Sequence, residues 1–290
     1  MDALTVIKRC AEEQRTIGGL AFLLEAENDG TAEADIVARV EQMLEVMEKA
    51  AVHALEKPVR SVSGLTGGDA FRYCGYQQAG LSLMGEIPSL AMAYALSSSE
   101  TNAAMGRIVA CPTAGSCGIL PAALFSVAKK KNLPREKLVD AFLAAGVVGM
   151  IIDEHASLAG AQGGCQAECG SAAAMAAAAV TEMLDGTPEQ CFNAAAIAIK
   201  NTLGLVCDPV AGLVEIPCIK RNVGGVMNAL SAADLALAGV KSYIPFDDAV
   251  DAMNRVGNAM PAALRETALG GLAATETGKR MMEQVFGEKK

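Results

Sequence analysis

The chain has 290 residues, a net charge of −9 and 52% hydrophobic residues, enough apolar side chain to bury a large core and too much for a disordered segment. The acidic balance speaks against a nucleic-acid partner, since a phosphate backbone is held by clustered Lys and Arg; the one dense basic run, Lys129-Lys130-Lys131, reads as a solvated helix end. Alanine dominates, aromatics are 4%, tryptophan is absent and methionines number 14, a balance that favours helices packed through small faces over a sheet.

The N-terminus carries Asp2, Lys8, Arg9, Glu12 and Glu13, so it does not read as a signal peptide. The most apolar stretches, residues 141–152 and 172–180, are too short to span a bilayer. The expectation is a soluble, cytoplasmic protein with no membrane partner.

In chain order, apolar residues recur at Ile36, Val40, Met43, Met47 and Ala54, with Ala50 and Ala51 between, and predict an amphipathic helix over 36–55 with Glu41, Glu45 and Glu48 outside. His53 on this helix reads as an ordinary surface histidine. Pro58 breaks the helix, and glycine-rich residues 61–70 follow, with Asp69 placed to cap the next helix. A second loop of similar chemistry covers 110–121; neither loop has the spacing of a P-loop or a Rossmann turn.

Residues 136–152 are apolar nearly all round and predict a buried central helix. An alanine-rich helix is predicted over 170–184. Thr187, Pro188 and Gln190 then form a capping box with proline at the first helical position, opening a helix that runs to about 205 and stops at Asp208-Pro209. Further helices are predicted over 222–238, 246–260 and 264–286. With no internal repeat and no low-complexity linker, the expectation is one all-α domain.

Nine cysteines, an odd number without close CxxC pairs, speak against both a disulfide framework and a zinc ribbon. Cys10 and Cys191 fall within helical patterns and read as core filler. Cys165, Cys207 and Cys218 sit where the helical pattern breaks, Cys165 and Cys218 just ahead of helices whose N-termini favour a thiolate.

The segments SGLTGGDA, CPTAGSCGILPA, GCQAECGSAAAMAAAA, GLVCDPVAGLVEIPCIKRN and ALRETALGGLA closely resemble those of the iron–sulfur-dependent L-serine dehydratases, over about residues 61–273. The resemblance implies the α-subunit of a two-subunit enzyme: an all-helical catalytic domain with glycine-rich loops around a [4Fe–4S] cluster, N-terminal helices in 1–60 and the catalytic core in 61–290. By motif, the implied cluster ligands are Cys165, Cys207 and Cys218. Three ligands leave one iron open as a Lewis acid for the carboxylate and hydroxyl of L-serine, which loses water and yields pyruvate and ammonia.

Cys169 is not part of the family motif, and the position of His155 usually reads as asparagine in relatives, so neither inherits a role. His155, ten residues before Cys165, suits a general base on its chemistry alone. The glycine-rich loops suit substrate contacts: Ser63, Thr66, Gly67 and Gly68 in the first, Thr113, Gly115 and Ser116 in the second, since glycines let N–H groups converge on an anion. With the chain ending at Lys290 and no β-sheet regulatory segment before residue 61, a separate β-subunit and a hetero-oligomer are expected.

Three rival readings are a cysteine- or threonine-specific lyase on the same cluster, a non-catalytic iron–sulfur or zinc sensor, and a pyridoxal-phosphate dehydratase. The last has Lys200 and Lys220 available, but the helical pattern disagrees with its mixed α/β fold.

Overall fold

Alanine and leucine carry the chain into helix, and capping side chains open four of the helices, at Asp2, Thr16, Thr187 and Thr275. The computed structural model describes residues 1–287. There, α1 (Ala3–Glu13) opens on Asp2, which accepts from Thr5 N at 2.7 Å, and α2 (Ile17–Asp29) on Thr16, which accepts from Gly19 N at 3.0 Å. Next come α3 (Glu33–Glu56), α4 (Asp69–Gln78), α5 (Glu86–Ala103), α6 (Ile119–Lys131), α7 (Arg135–His155) and the single turn α8 (Gly160–Gly163). The series ends with α9 (Ser171–Met183), α10 (Pro188–Lys200), α11 (Cys218–Leu237), α12 (Phe246–Ala259) and α13 (Glu276–Phe286). Among the described residues there are no strands, only two isolated bridges, Arg60 with Gly67 and Cys207 with Arg265.

The fold is therefore all-helical, and α3, α7, α9 and α12 lie where the periodicity predicts them. The Thr187 capping box with Pro188 opens α10, and Lys129, Lys130 and Lys131 form the last turn of α6. Three expectations are corrected. The helix predicted over 264–286 exists only as α13: Glu266 and Ala268 adopt left-handed backbone at φ 62° and 56°, and the Gly270-Gly271 pair adds to the break. Helix α10 stops at Lys200 rather than near 205, and α11 begins at Cys218 rather than 222. Asp69 does not cap α4, whose cap position is Gly68; it pairs with Lys220 and Arg72, while Glu100 accepts from the first two amides, Asp69 N at 2.7 Å and Ala70 N at 3.3 Å.

Helix α9 is the axis of the molecule, with all of its residues buried. Its run of Ala172, Ala173, Ala174, Ala176, Ala177, Ala178 and Ala179 has no side to give to solvent, so α6, α7, α10 and α11 close on it from different directions. One continuous core runs from Ala3 in α1 to Met253 in α12.

Near the end of α9 the buried Glu182 accepts from Ile17 N at 2.8 Å and Gly18 N at 2.9 Å, so that α9 caps α2 from across the core. Burial raises this carboxyl from 4.5 to about 7 against those hydrogen bonds, and Asp140 adds to the rise. The unfolded chain releases the proton first, so this group's stabilisation is complete below about pH 4.5 and lost as pH rises through about 7. Glu182→Gln is expected to flatten the fall in stability across that window by on the order of 2–3 kcal/mol, read from denaturant titrations at pH 5 and pH 8.

Candidate active site

Five irregular segments gather where α6, α9 and α11 begin. Asn222, in the first turns of α11, ties the segment before α6 to its own helix, accepting from Gly118 N at 2.8 Å and donating to the Gly115 carbonyl at 2.7 Å. Cys207 exchanges backbone hydrogen bonds with the segment after α12, its N–H reaching Leu264 at 2.9 Å and its carbonyl accepting from Glu266 at 2.7 Å. Gln166 N donates to Leu205 at 3.0 Å, which joins the Cys165 turn to the Cys207 segment. The chain enters that turn through Gly164 at φ +75°, where a Cβ would lie 2.9 Å from the Leu205 carbonyl. A Cβ on Gly160 would lie 2.6 Å from Glu168 Oε2 and 3.1 Å from the Cys207 sulfur, so glycine is what lets this turn reach the thiols.

Cys165, Cys207 and Cys218 come from three separate segments; Cys207 is close enough to feel the charge of both Cys165 and Cys218, and Cys218 that of Cys165. Cys165 and Cys169 have sulfurs 3.4 Å apart. The hydrogen bond between them and the Arg221 guanidinium beside Cys165 favour the thiolate on Cys165, holding its pKa below the ordinary thiol value and driving that of Cys169 well above it. Arg221 is held by Asp208 Oδ1 at 2.8 Å and the Val206 carbonyl at 2.8 Å. Burial pushes Cys207 far up and Cys218 up to about 12, and the negative charge of the neighbouring groups adds to both.

Two carboxylates flank these cysteines in the chain, Glu168 three residues after Cys165 and Glu215 three residues before Cys218. Glu168 accepts from Thr113 Oγ1 at 2.7 Å and lies 3.8 Å from the Cys207 sulfur; burial raises its pKa against the Thr113 hydrogen bond. Glu215 accepts from Ser63 Oγ at 3.0 Å and Thr66 Oγ1 at 2.7 Å, both at Oε2.

No three His, Cys, Asp or Glu side chains among the described residues are gathered tightly enough for one metal ion. A multinuclear cluster needs donors set further apart than a single ion does. Three thiols from different segments, Cys165 and Cys207 buried and Cys218 partly so, two of them costly to ionise without a nearby cation, make a donor set that fits such a group, since binding would supply the missing positive charge and release the protons.

The other predicted residues divide clearly. In the first loop the hydroxyls of Ser63 and Thr66 are given to Glu215, whereas Gly68 N is already donated to the Val59 carbonyl at 2.9 Å. Thr66, Gly67 and Gly68 line a cleft of about 630 Å³ that also borders Pro217 and Lys220. In the second loop Thr113 holds Glu168, Ser116 closes a capping box with Thr113, and Gly115 offers its carbonyl to Asn222. His155 is not brought to the thiols: it is exposed at the end of α7, its Nε2 donates to the Met1 carbonyl at 2.9 Å, and it lines a separate cleft of about 290 Å³.

Glu168, Glu215, Asp208 and Arg221 were not singled out from the sequence. The available signal was acid and base inside otherwise apolar segments next to cysteines, where an ionised side chain is retained only with partners.

An all-helical chain that brings Cys165, Cys207 and Cys218 in from three separate segments differs from both a zinc ribbon and a pyridoxal-phosphate fold. Sequence comparison then places it among its relatives. The family model of the serine dehydratase alpha chain matches residues 2–273, and the chain belongs to that family. It is 49% identical over 282 residues to a protein of Bacillus subtilis (strain 168) named "Probable L-serine dehydratase, alpha chain", covering 97% of this chain and 94% of that one. It is 48% identical over 286 residues to the L-serine dehydratase alpha chain of Peptoniphilus asaccharolyticus, covering 99% and 98%. Against an L-serine dehydratase of Escherichia coli (strain K12) it is 46% identical over 182 residues, which are 62% of this chain but only 40% of that longer one.

Proposed function

We propose that this chain is the α-subunit of an L-serine ammonia-lyase, in which Cys165, Cys207 and Cys218 hold a [4Fe–4S] cluster and residues 61–290 carry the chemistry. The observation that carries the reading is the approach of those three thiols to one another beside Arg221 and Glu168, the latter held by Thr113 of the second glycine-rich loop; the names of the full-length relatives supply the substrate class. When bound, a cluster with three protein thiolates supplies an open iron, a Lewis acid for the carboxylate and hydroxyl of the amino acid.

The chain's own residues do the rest. Arg221, fixed by Asp208, offsets the charge of the Cys165 thiolate. Thr113 fixes Glu168, and burial makes that carboxylate willing to hold a proton at Oε2, on the side facing Cys207. Asn222 locks the second loop against α11, so the hydroxyl of Thr113 stays in register with Glu168. Serine loses its α-proton and its hydroxyl as one water, and the enamine hydrolyses to pyruvate and ammonia.

A separate β-subunit completes the enzyme as a hetero-oligomer in the cytoplasm. The alpha-chain names of two relatives support a second chain, and so does the larger size of the Escherichia coli relative. No helix among the described residues is long and apolar enough to cross a membrane.

The test is anaerobic assembly of the enzyme with iron and sulfide, followed by Mössbauer spectra with and without L-serine. One iron in about four shifting toward higher coordination on adding serine is the expected result. A cluster indifferent to serine in the assembled, two-chain enzyme would remove the reading.

A further inference from the structure

Four carboxylates are buried among the described residues: Glu100, Glu182, Asp208 and Glu215. Three of them are matched on both oxygens. Glu100 spans two amides at the start of α4, Glu182 spans two at the start of α2, and Asp208 divides itself between Arg221 and Leu272 N, the latter at 2.7 Å.

Glu215 is the exception. Ser63 and Thr66 both donate to its Oε2, while Oε1 has no hydrogen-bond partner and no cation pairs with the side chain among the described residues. Oε1 is also absent from the sealed polar atoms that lack a partner, which are hydroxyls of Ser98, Ser99 and Ser171, so it keeps a route to solvent. A carboxylate only 5% exposed, fixed by two neutral donors and open at one oxygen, is an arrangement that favours an arriving cation. Thr66, and the Ile216-Pro217 pair that follows Glu215, line the cleft of about 630 Å³, roomy enough for a small amino acid.

We infer that Glu215 receives the α-ammonium of the amino-acid substrate, with Ser63 and Thr66 holding the carboxylate in position. The inference rests on the lyase reading and deepens it. The hydroxyls of the first glycine-rich loop then serve the substrate's amine through Glu215 rather than its carboxylate directly. This placement also gives the site a means of choosing amino acids over hydroxy acids, because a buried carboxylate aimed at an ammonium is left without a cation when a hydroxyl arrives in its place.

The experiment compares L-serine with L-glycerate, which keeps the carboxylate and the β-hydroxyl but carries a hydroxyl where serine has its ammonium. In the assembled two-chain enzyme, with cluster absorbance as a check on integrity, Glu215→Gln is expected to raise the KM for L-serine about 10- to 100-fold. The change in kcat should be smaller, and the inhibition constant of glycerate should stay the same or fall. The serine-to-glycerate preference therefore collapses, which a merely structural role would not produce, since it would weaken both ligands together. Should Glu215→Gln fail to assemble, the double variant Ser63→Ala, Thr66→Val is measured in its place and should show the same loss of preference. An unchanged preference in an enzyme whose parent turns over serine overturns the assignment of Glu215 alone. A parent that neither binds nor turns over serine overturns the lyase reading, and this inference with it.

Discussion

Alanine in place of Cys207 is expected to leave the anaerobically assembled enzyme without its cluster absorbance and to cut serine turnover by at least about 100-fold, since even the loss of an outer partner of a metal site costs up to that much. Cys165→Ala and Cys218→Ala should behave alike. The three thiols come from the turn after α8, the segment after α10 and the first residue of α11. Cys10→Ala and Cys191→Ala form the control. Both residues are buried inside helices, α1 and α10, where burial raises their pKa and keeps them neutral fillers of the core. Iron content and serine turnover should stay at parental levels in both. Retained iron and full turnover in Cys207→Ala would sink the ligand assignment.

Asp208→Ala is expected to lower folding stability by about 3–5 kcal/mol, the range for removing one partner of a buried ion pair. Asp208 is almost wholly buried, and its partner Arg221 has a side chain only 17% exposed. Without the carboxylate, Arg221 keeps the Val206 carbonyl and the neighbouring Cys165 thiolate but no carboxylate partner, and Leu272 N loses its acceptor. The change should appear as a lower midpoint in urea unfolding, with Asp208→Asn intermediate because its amide oxygen still accepts one bond. The same variant should hold iron more weakly, because Arg221 is the cation beside Cys165. A parental urea midpoint in Asp208→Ala would show that the pair carries no net stability here.

Much of the helical scaffold was legible from local pattern. The three–four alternation of α3, the capping box of α10 and the alanine run of α9 are near-neighbour properties, decided within one or two turns of chain. Helices α5 and α6 were not delimited, because both are buried on nearly every side and a helix without a polar face leaves no periodic mark. The helix expected across 264–286 failed for a related reason: helix-forming composition does not reveal left-handed backbone at Glu266 and Ala268, which the packing of that segment against Cys207 and Asp208 selects.

The sequence by itself determined the all-helical class, the family, and which cysteines lie at breaks in the helical pattern, because each of these is written in contiguous residues. Only the tertiary structure decided what those residues face. Thr113 and Glu168 are 55 positions apart, and Ser63 and Glu215 are 152; no local rule pairs them. Nor does spacing tell that Glu182 caps α2, that Asp208 holds Arg221 against a thiol, or that His155 turns outward to the Met1 carbonyl. A buried charge is tolerated only where its partners stand, and the packing of α9 among its neighbours decides where they stand.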